Sequence, residues 1–237
     1  MAELTVEADR DSYMDLVGST VNYGGNLAIQ LGLQFIGESK SRLDRAVGNF
    51  NVDELAGAII NSAKLVREIV TVTNGGVDAT LSRCTRPADW VELEVTWDDY
   101  RNGNAWTGGG GDFDDTGPPA VITYTEASAT GIHEITGLKD FVEDALDNRG
   151  GLVSIILRLA DEDPDETTRF QWWSKDKGSD IWRLVIDYTL PDPGRRSIGR
   201  TPFARGAPAI GPAGAARPAR TASGVAPARP RRPRRTA

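Results

Sequence analysis

Along the first four-fifths of the chain, apolar and polar residues alternate with a period of two in short runs between turn residues. Residues 4–8 (LTVEA), 13–17 (YMDLV) and 27–31 (LAIQL) open the series. Such alternation puts one set of side chains on a core and the other in water, so each run predicts a half-buried strand. Asn22-Tyr23-Gly24-Gly25-Asn26 and Asn74-Gly75-Gly76 read as punctuation, because Gly and Asn tolerate the positive φ that tight turns demand. Further strands are predicted at 46–50, 60–73 (long or interrupted), 77–85, 91–96 and 120–125. Two more, 152–160 (LVSIILRLA) and 182–188 (WRLVIDY), have the bulky and β-branched composition of strands buried within a sandwich.

One segment changes period. Leu138, Phe141, Val142, Ala145 and Leu146 recur at three- and four-residue spacing, the stripe of one helix, which Gly150-Gly151 ends. A second, short helical turn is predicted at 52–56, capped by Asn51 or Asp53. Many short strands with one good helix predict an all-β fold, an antiparallel jelly-roll β-sandwich, and not a βαβ fold.

After Tyr188 the composition turns to Pro, Gly, Ala and Arg. Few of those side chains are large and apolar, so the segment cannot bury enough surface to offset the entropy of ordering. The expected organisation is therefore a sandwich domain at 1–190 and a disordered basic tail at 191–237. Charge divides at the same place. Residues 1–190 hold 33 Asp and Glu against 16 Lys and Arg, a net −17, whereas 191–237 hold one Asp and 11 Arg, a net +10; the whole chain is at −7. An acidic body is ill suited to grip a nucleic-acid backbone, which leaves the tail, ending Arg229-Pro230-Arg231-Arg232-Pro233-Arg234-Arg235, as the one nucleic-acid candidate. A spacer is the plainer reading of that tail.

Cys84 is the only cysteine, so no intramolecular disulfide and no thiolate metal cluster can form, and it reads as a small core residue. The N-terminus shows no charged-then-apolar leader and no apolar run is long enough for a membrane span, so neither classical secretion nor membrane insertion is expected. His133, the only histidine, has no Gly-x-Ser-x-Gly elbow to serve. Gly108 to Gly111 reads as a flexible loop, lacking the Gly-Lys-Ser/Thr end of a phosphate cradle. Asp98-Asp99, Asp112-Asp114-Asp115 and the Asp161 to Glu166 run invite a calcium hypothesis, but the EF-hand ladder is missing and solvated loops are the simpler account. A carboxylate pair for glycoside hydrolysis needs a separation that sequence does not give.

Aromatic residues are the remaining candidates. Trp90 and Trp97 serve either as sugar-stacking platforms or as core anchors, and the core is favoured because Trp is highly buried on average. Tyr100, Trp106, Trp172 and Trp173 sit beside Gly, Asn, Asp and Lys and are the candidates for exposed ligand contacts. Trp172 and Trp173 are adjacent and point to opposite faces if extended, so at most one belongs to the core. Such a platform would bind saccharide or peptide, helped by polar groups such as Asp112 and Asp114.

The order of several landmarks resembles the DNRLRE family of β-sandwich modules. They are Ala8-Asp9 with Tyr13, Asn22-Tyr23-Gly24, Arg45 and Phe50 followed by Leu55, and Ile59-Ile60-Asn61-Ser62-Ala63-Lys64-Leu65. The most specific is Trp90-Val91-Glu92 through Val95-Thr96-Trp97, similar to a W-x-E-x-x-V-T-W signature. Ile132-His133-Glu134-Ile135-Thr136, Gly151-Leu152 and Trp173-Ser174-Lys175 follow in order. The glycine-rich insertion at 107–111 and the tail depart from the pattern. The resemblance implies a jelly-roll sandwich and, for some relatives, carbohydrate binding; it transfers no catalytic residue.

Such modules occur in bacteriophage virion proteins and in secreted polysaccharide-active proteins. The resemblance therefore implies a non-catalytic virion structural or adhesive module of a phage tail or capsid surface, with other virion proteins or surface glycans as partners and a homo-oligomer compatible. The alternative is an extracellular carbohydrate-binding module of a polysaccharide-active protein. An enzyme is the third reading.

Overall fold

Two long strands set the frame: β4 (Ser39–Asn51) and β5 (Ile59–Thr73) are each long enough to pair with different neighbours along their length. They belong to a computed structural model that describes residues 1–191 apart from Pro87, Pro118, Asp180 and Ile181. The expected tail at 191–237 thus lies, after Pro191, outside the described residues.

The other strands are β1 (Ala2–Glu7), β2 (Arg10–Asp15), β3 (Ala28–Ile36), β6 (Asp78–Cys84), β7 (Asp99–Arg101), β8 (Asn104–Ala105), β9 (Phe113–Asp114), β10 (Ile122–Thr125), β11 (Gly131–Thr136), β12 (Leu152–Leu159), β13 (Thr168–Trp173) and β14 (Arg183–Thr189). All of their pairings are antiparallel. β1, β14, β5, β11 and β13 make one group, with β14, β13 and β11 all bonded to β5. β2, β4, β12, β6, β10 and β9 make the other, and β3 joins the groups by pairing with both β13 and β4. The fold is an all-β antiparallel sandwich with, among the described residues, one α-helix, α1 (Lys139–Asn148).

The main core fills the space between the layers. β12 sends Val153, Ile155, Leu157 and Leu159 into it, where they meet Phe50, Leu65, Phe170, Trp172, Trp182 and Leu184. Phe141, Val142 and Ala145 of α1 join the same core, as the stripe predicts. Of the residues of opposite parity, Ser154 and Ile156 are also buried. Ile156 packs in a second cluster with Met14, Val47, Cys84, Trp90, Val95, Trp97 and Trp106. The layer containing β12 is therefore covered on both faces, which is why its sequence is a nearly unbroken apolar run.

Several expectations need correction. Residues 91–96 are not a strand: the chain turns, with Glu94 and Val95 N–H both donating to Val91 O. Asn22 Nδ2 donates to Glu92 O and Val95 O at 2.7 Å each, so a side chain takes the place of a strand ladder. Of the alternating apolar residues Val91, Leu93 and Val95, only Val95 enters the second core, and Val91 and Leu93 are exposed, so the alternation does not mark a buried face. β4 begins at Ser39, ahead of the run at 46–50, and β13 fell among residues predicted as loop. The short helical turn expected at 52–56 is present, as a 3₁₀ turn at Asp53–Leu55, where Asn51 Oδ1 accepts from Asp53 N–H at 3.0 Å.

Candidate functional site: a polar cleft beside the glycine-rich loop

Residues 85–112 leave the sandwich after β6 and return at β9, whose Phe113 is the register partner of Cys84. Three tryptophans fasten this insertion. Trp90 Nε1 donates to Asn49 Oδ1 of β4 at 2.9 Å, Trp106 Nε1 donates to Thr96 O at 3.0 Å, and Trp97 packs beneath Gly109 and Gly110. Glu92 adds a polar tie, accepting from Asp11 N–H and pairing with Lys175 Nζ, each at 3.0 Å.

The glycines at 109–111 are needed for close approach. A Cβ on Gly110 would lie 2.8 Å from both the Trp97 ring and Arg45 Nη1, and its φ of 78° is the left-handed conformation that Gly adopts without penalty. The loop is therefore pinned, not flexible as expected: Gly110 N–H donates to Trp97 O at 2.7 Å. Asp112 closes its base, accepting from Thr107 N–H at 2.8 Å, Gly108 N–H at 3.1 Å and Thr107 Oγ at 3.1 Å.

Beside this loop lies an open cleft of about 810 Å³, lined among others by Arg45, Thr85, Arg86, Asp89, Thr107 and Asp112. Its two guanidinium groups rest on aromatic rings. Arg45 lies over Trp97 at 4.7 Å and Phe113 at 5.4 Å, and Arg86 over Tyr100 at 4.6 Å. Arg45 is held by a two-point contact with Glu162, both bonds 2.7 Å, and donates Nη1 to Gly109 O and Gly110 O. Arg86 Nε donates to Asp112 at 2.5 Å. Partial burial opposes ionisation of Asp112, but the bonds from Arg86, Gly108 and Thr107 outweigh it and hold the carboxyl below its ordinary value. Asp112 is thus an ionised fastening for the loop, unsuited to donating a proton. The cleft presents fixed donors and acceptors beside stacked rings, an arrangement that suits a hydroxyl-rich ligand.

The four aromatic candidates are not gathered into one site. Tyr100 is half-buried beside the cleft, its ring flanked by Arg86 and, at 5.6 Å, by Arg101. Trp106 is only 5% exposed and belongs to the second core, and Trp172 is 0% exposed in the main core, so both expectations of an exposed ring are corrected. Both rings fill volume that the flanking polar residues did not reveal. Trp173 points the other way from Trp172, as alternation requires, and is half-exposed with Lys177 Nζ 4.7 Å from its ring. Arg45 and Arg86 were not anticipated as cleft residues. No local sequence signal marks them, because the residues that meet them, Gly109, Gly110 and Glu162 for Arg45 and Tyr100 and Asp112 for Arg86, are brought there by the fold.

The acidic clusters serve as partners for arginines and loop N–H groups. Asp114 accepts from Thr116 and Gly117 and pairs with Arg83; Asp115 accepts from Ser82 and Arg158; Asp163 pairs with Lys40. Among the described residues no three of His, Cys, Asp and Glu come together as a metal-holding group. Burial pushes the Cys84 thiol up to about 11, in keeping with a core residue. His133 Nε2 lies 3.0 Å from Ala129 O. No helix among the described residues is long and apolar enough to cross a membrane. No family model and no curated protein matches the sequence.

Proposed function

We propose that the protein is a non-catalytic adhesive or structural module that takes a glycan in the cleft beside the glycine-rich loop. The observation that carries this reading is the fixed pairing of Arg45 with Trp97 and of Arg86 with Tyr100 along an open polar groove. Stacked, hydrogen-bonded guanidinium groups are already ordered before a ligand arrives, which lowers the entropy cost of binding. Asp112, held ionised by its partners, is unsuited to be the proton donor that glycoside hydrolysis needs.

The setting we favour is a phage virion, on a tail or capsid surface among other virion proteins, because the ordered landmarks from Ala8 to Lys175 resemble DNRLRE modules found there. The same landmarks also occur in extracellular polysaccharide-active proteins, the competing setting. Any nucleic-acid contact is assigned to the arginines of 191–237, given the −17 charge of the remainder.

A glycan array probed with the full chain and with the Arg86→Ala and Tyr100→Ala variants tests the cleft. Wild-type signals lost in both folded variants would support it; uniformly blank spots from folded wild-type protein would rule out glycan capture. Mass spectrometry of purified particles separates the two settings.

A further inference from the structure

The sequence contains two Asn-Gly pairs, Asn74-Gly75 and Asn102-Gly103. Both lie in exposed turns, yet their side chains are in opposite circumstances. Asn74 is locked: its Nδ2 donates to Glu166 Oε2 at 3.1 Å and to Thr167 O at 2.8 Å. Gly75 is hemmed in as well, since a Cβ there would sit 2.2 Å from Ala127 O. Asn102 is free where it matters. Its backbone N–H donates to Glu94 at 3.0 Å and its carbonyl accepts from Asn104 Nδ2 at 3.1 Å, but its carboxamide makes no hydrogen bond among the described residues. Gly103, with φ 71°, has open space where a Cβ would stand.

We propose that Asn102 is a site of spontaneous covalent modification, converting to aspartate and isoaspartate through a succinimide closed by the Gly103 backbone nitrogen. The Gly103 amide gives up its proton to solvent hydroxide and its nitrogen attacks Asn102 Cγ, forming a new C–N bond. The bond from Cγ to the side-chain nitrogen breaks, and that nitrogen leaves as ammonia with a proton from water. Water then opens the ring at either carbonyl, giving Asp or isoaspartate. No atom is oxidised or reduced, and glycine is the residue that least obstructs the approaching nitrogen.

The consequence reaches the cleft. The β7–β8 hairpin is held by only two register pairs, Asp99 with Ala105 and Arg101 with Asn104. Isoaspartate routes the main chain through the side-chain methylene and lengthens the turn between them. The hairpin carries Tyr100, on which Arg86 stacks, and leads into Trp106. Conversion also adds a carboxylate beside Glu94. Loss of glycan capture on ageing rests on the cleft being the binding site, whereas the covalent change does not.

The test is peptide mapping by mass spectrometry of the full chain held in mildly alkaline buffer, folded and in urea. In the folded protein Asn102 is expected to convert about tenfold or more faster than Asn74, since Asn74 must first give up two hydrogen bonds. In urea the two rates converge, showing that conformation sets the difference. Asn74 converting as fast as Asn102 in the folded protein would overturn the proposal. So would Asn102 remaining intact over a period in which the unfolded chain converts. The mapping reads the modification whether or not any glycan binds, so failure of the cleft reading and failure of this one are separable.

Discussion

Trp90 Nε1 donates to Asn49 Oδ1 in a contact where both side chains are 0% exposed. It ties the insertion to the C-terminal end of β4, on the face of the layer turned away from the main core. Trp90→Ala removes the ring and leaves Asn49 without that donor, and the expected cost is about 3–5 kcal/mol. Urea unfolding measures it as a lower midpoint; a loss below about 1 kcal/mol would mean that the second cluster contributes little.

The pinned loop gives a paired prediction. Gly110→Ala places a methyl against Trp97 and Arg45 in a left-handed conformation, and is expected to cost at least about 1–2 kcal/mol and to weaken glycan binding. Gly108 has open space around its Cβ position, so Gly108→Ala should stay within about 0.5 kcal/mol of wild type. Equal effects from the two would show that close packing is not what selects glycine here.

Arg67 and Glu126 form a buried two-point ion pair at 3.0 and 3.1 Å, with the guanidinium 4.7 Å from the Trp172 ring. Removing one partner strands a charge in a dry site. Glu126→Ala should therefore destabilise by about 3–5 kcal/mol, while the joint change Arg67→Met with Glu126→Leu should recover most of that loss. A double-mutant cycle with no coupling would contradict this account.

Two buried carboxyls set a pH dependence. Burial pushes Asp11 up to about 6, against the bonds it accepts from Lys175 N–H, Ser174 and Trp182. Burial and the nearby Asp15 push Asp44 up to about 7, against the pull of Arg42. Both groups bind their proton more tightly in the fold than in the unfolded chain. Their contribution is complete below the ordinary value of 3.8 and is lost as pH rises through about 6 and about 7. Denaturation curves should show stability falling between about pH 4 and 7 by a few kcal/mol, with a shallower fall in Asp44→Asn. A flat or rising profile in wild type would exclude this effect.

How much of this was legible in the sequence depended on whether the cause was local. The helix stripe from Leu138 to Leu146 and the core-bound runs at β12 and β14 are statements about adjacent residues, and their elements formed where expected. The stretch from Val91 to Thr96 differs because its alternation corresponds to no buried face, Val91 and Leu93 being exposed, and the partner that replaces a strand ladder, Asn22, lies about seventy residues earlier in the chain. The cleft was invisible for the same reason. Arg45 reads as an ordinary polar position on a strand until Gly109, Gly110 and Glu162 are seen to converge on it. Trp106 and Trp172 were misjudged from polar neighbours, which constrain the backbone's exposure more than the ring's.

Because Cys84 and Phe113 stand opposite one another on adjoining strands, the excursion between them leaves and rejoins the sheet at one place. Strand order is indifferent to what happens beyond it. A replacement cassette could confer a different specificity on the same scaffold, provided that it brought its own apolar cover for Met14, Val47 and Ile156. On the proposed binding role, specificity would then vary by exchange of this one insertion while the frame stays fixed.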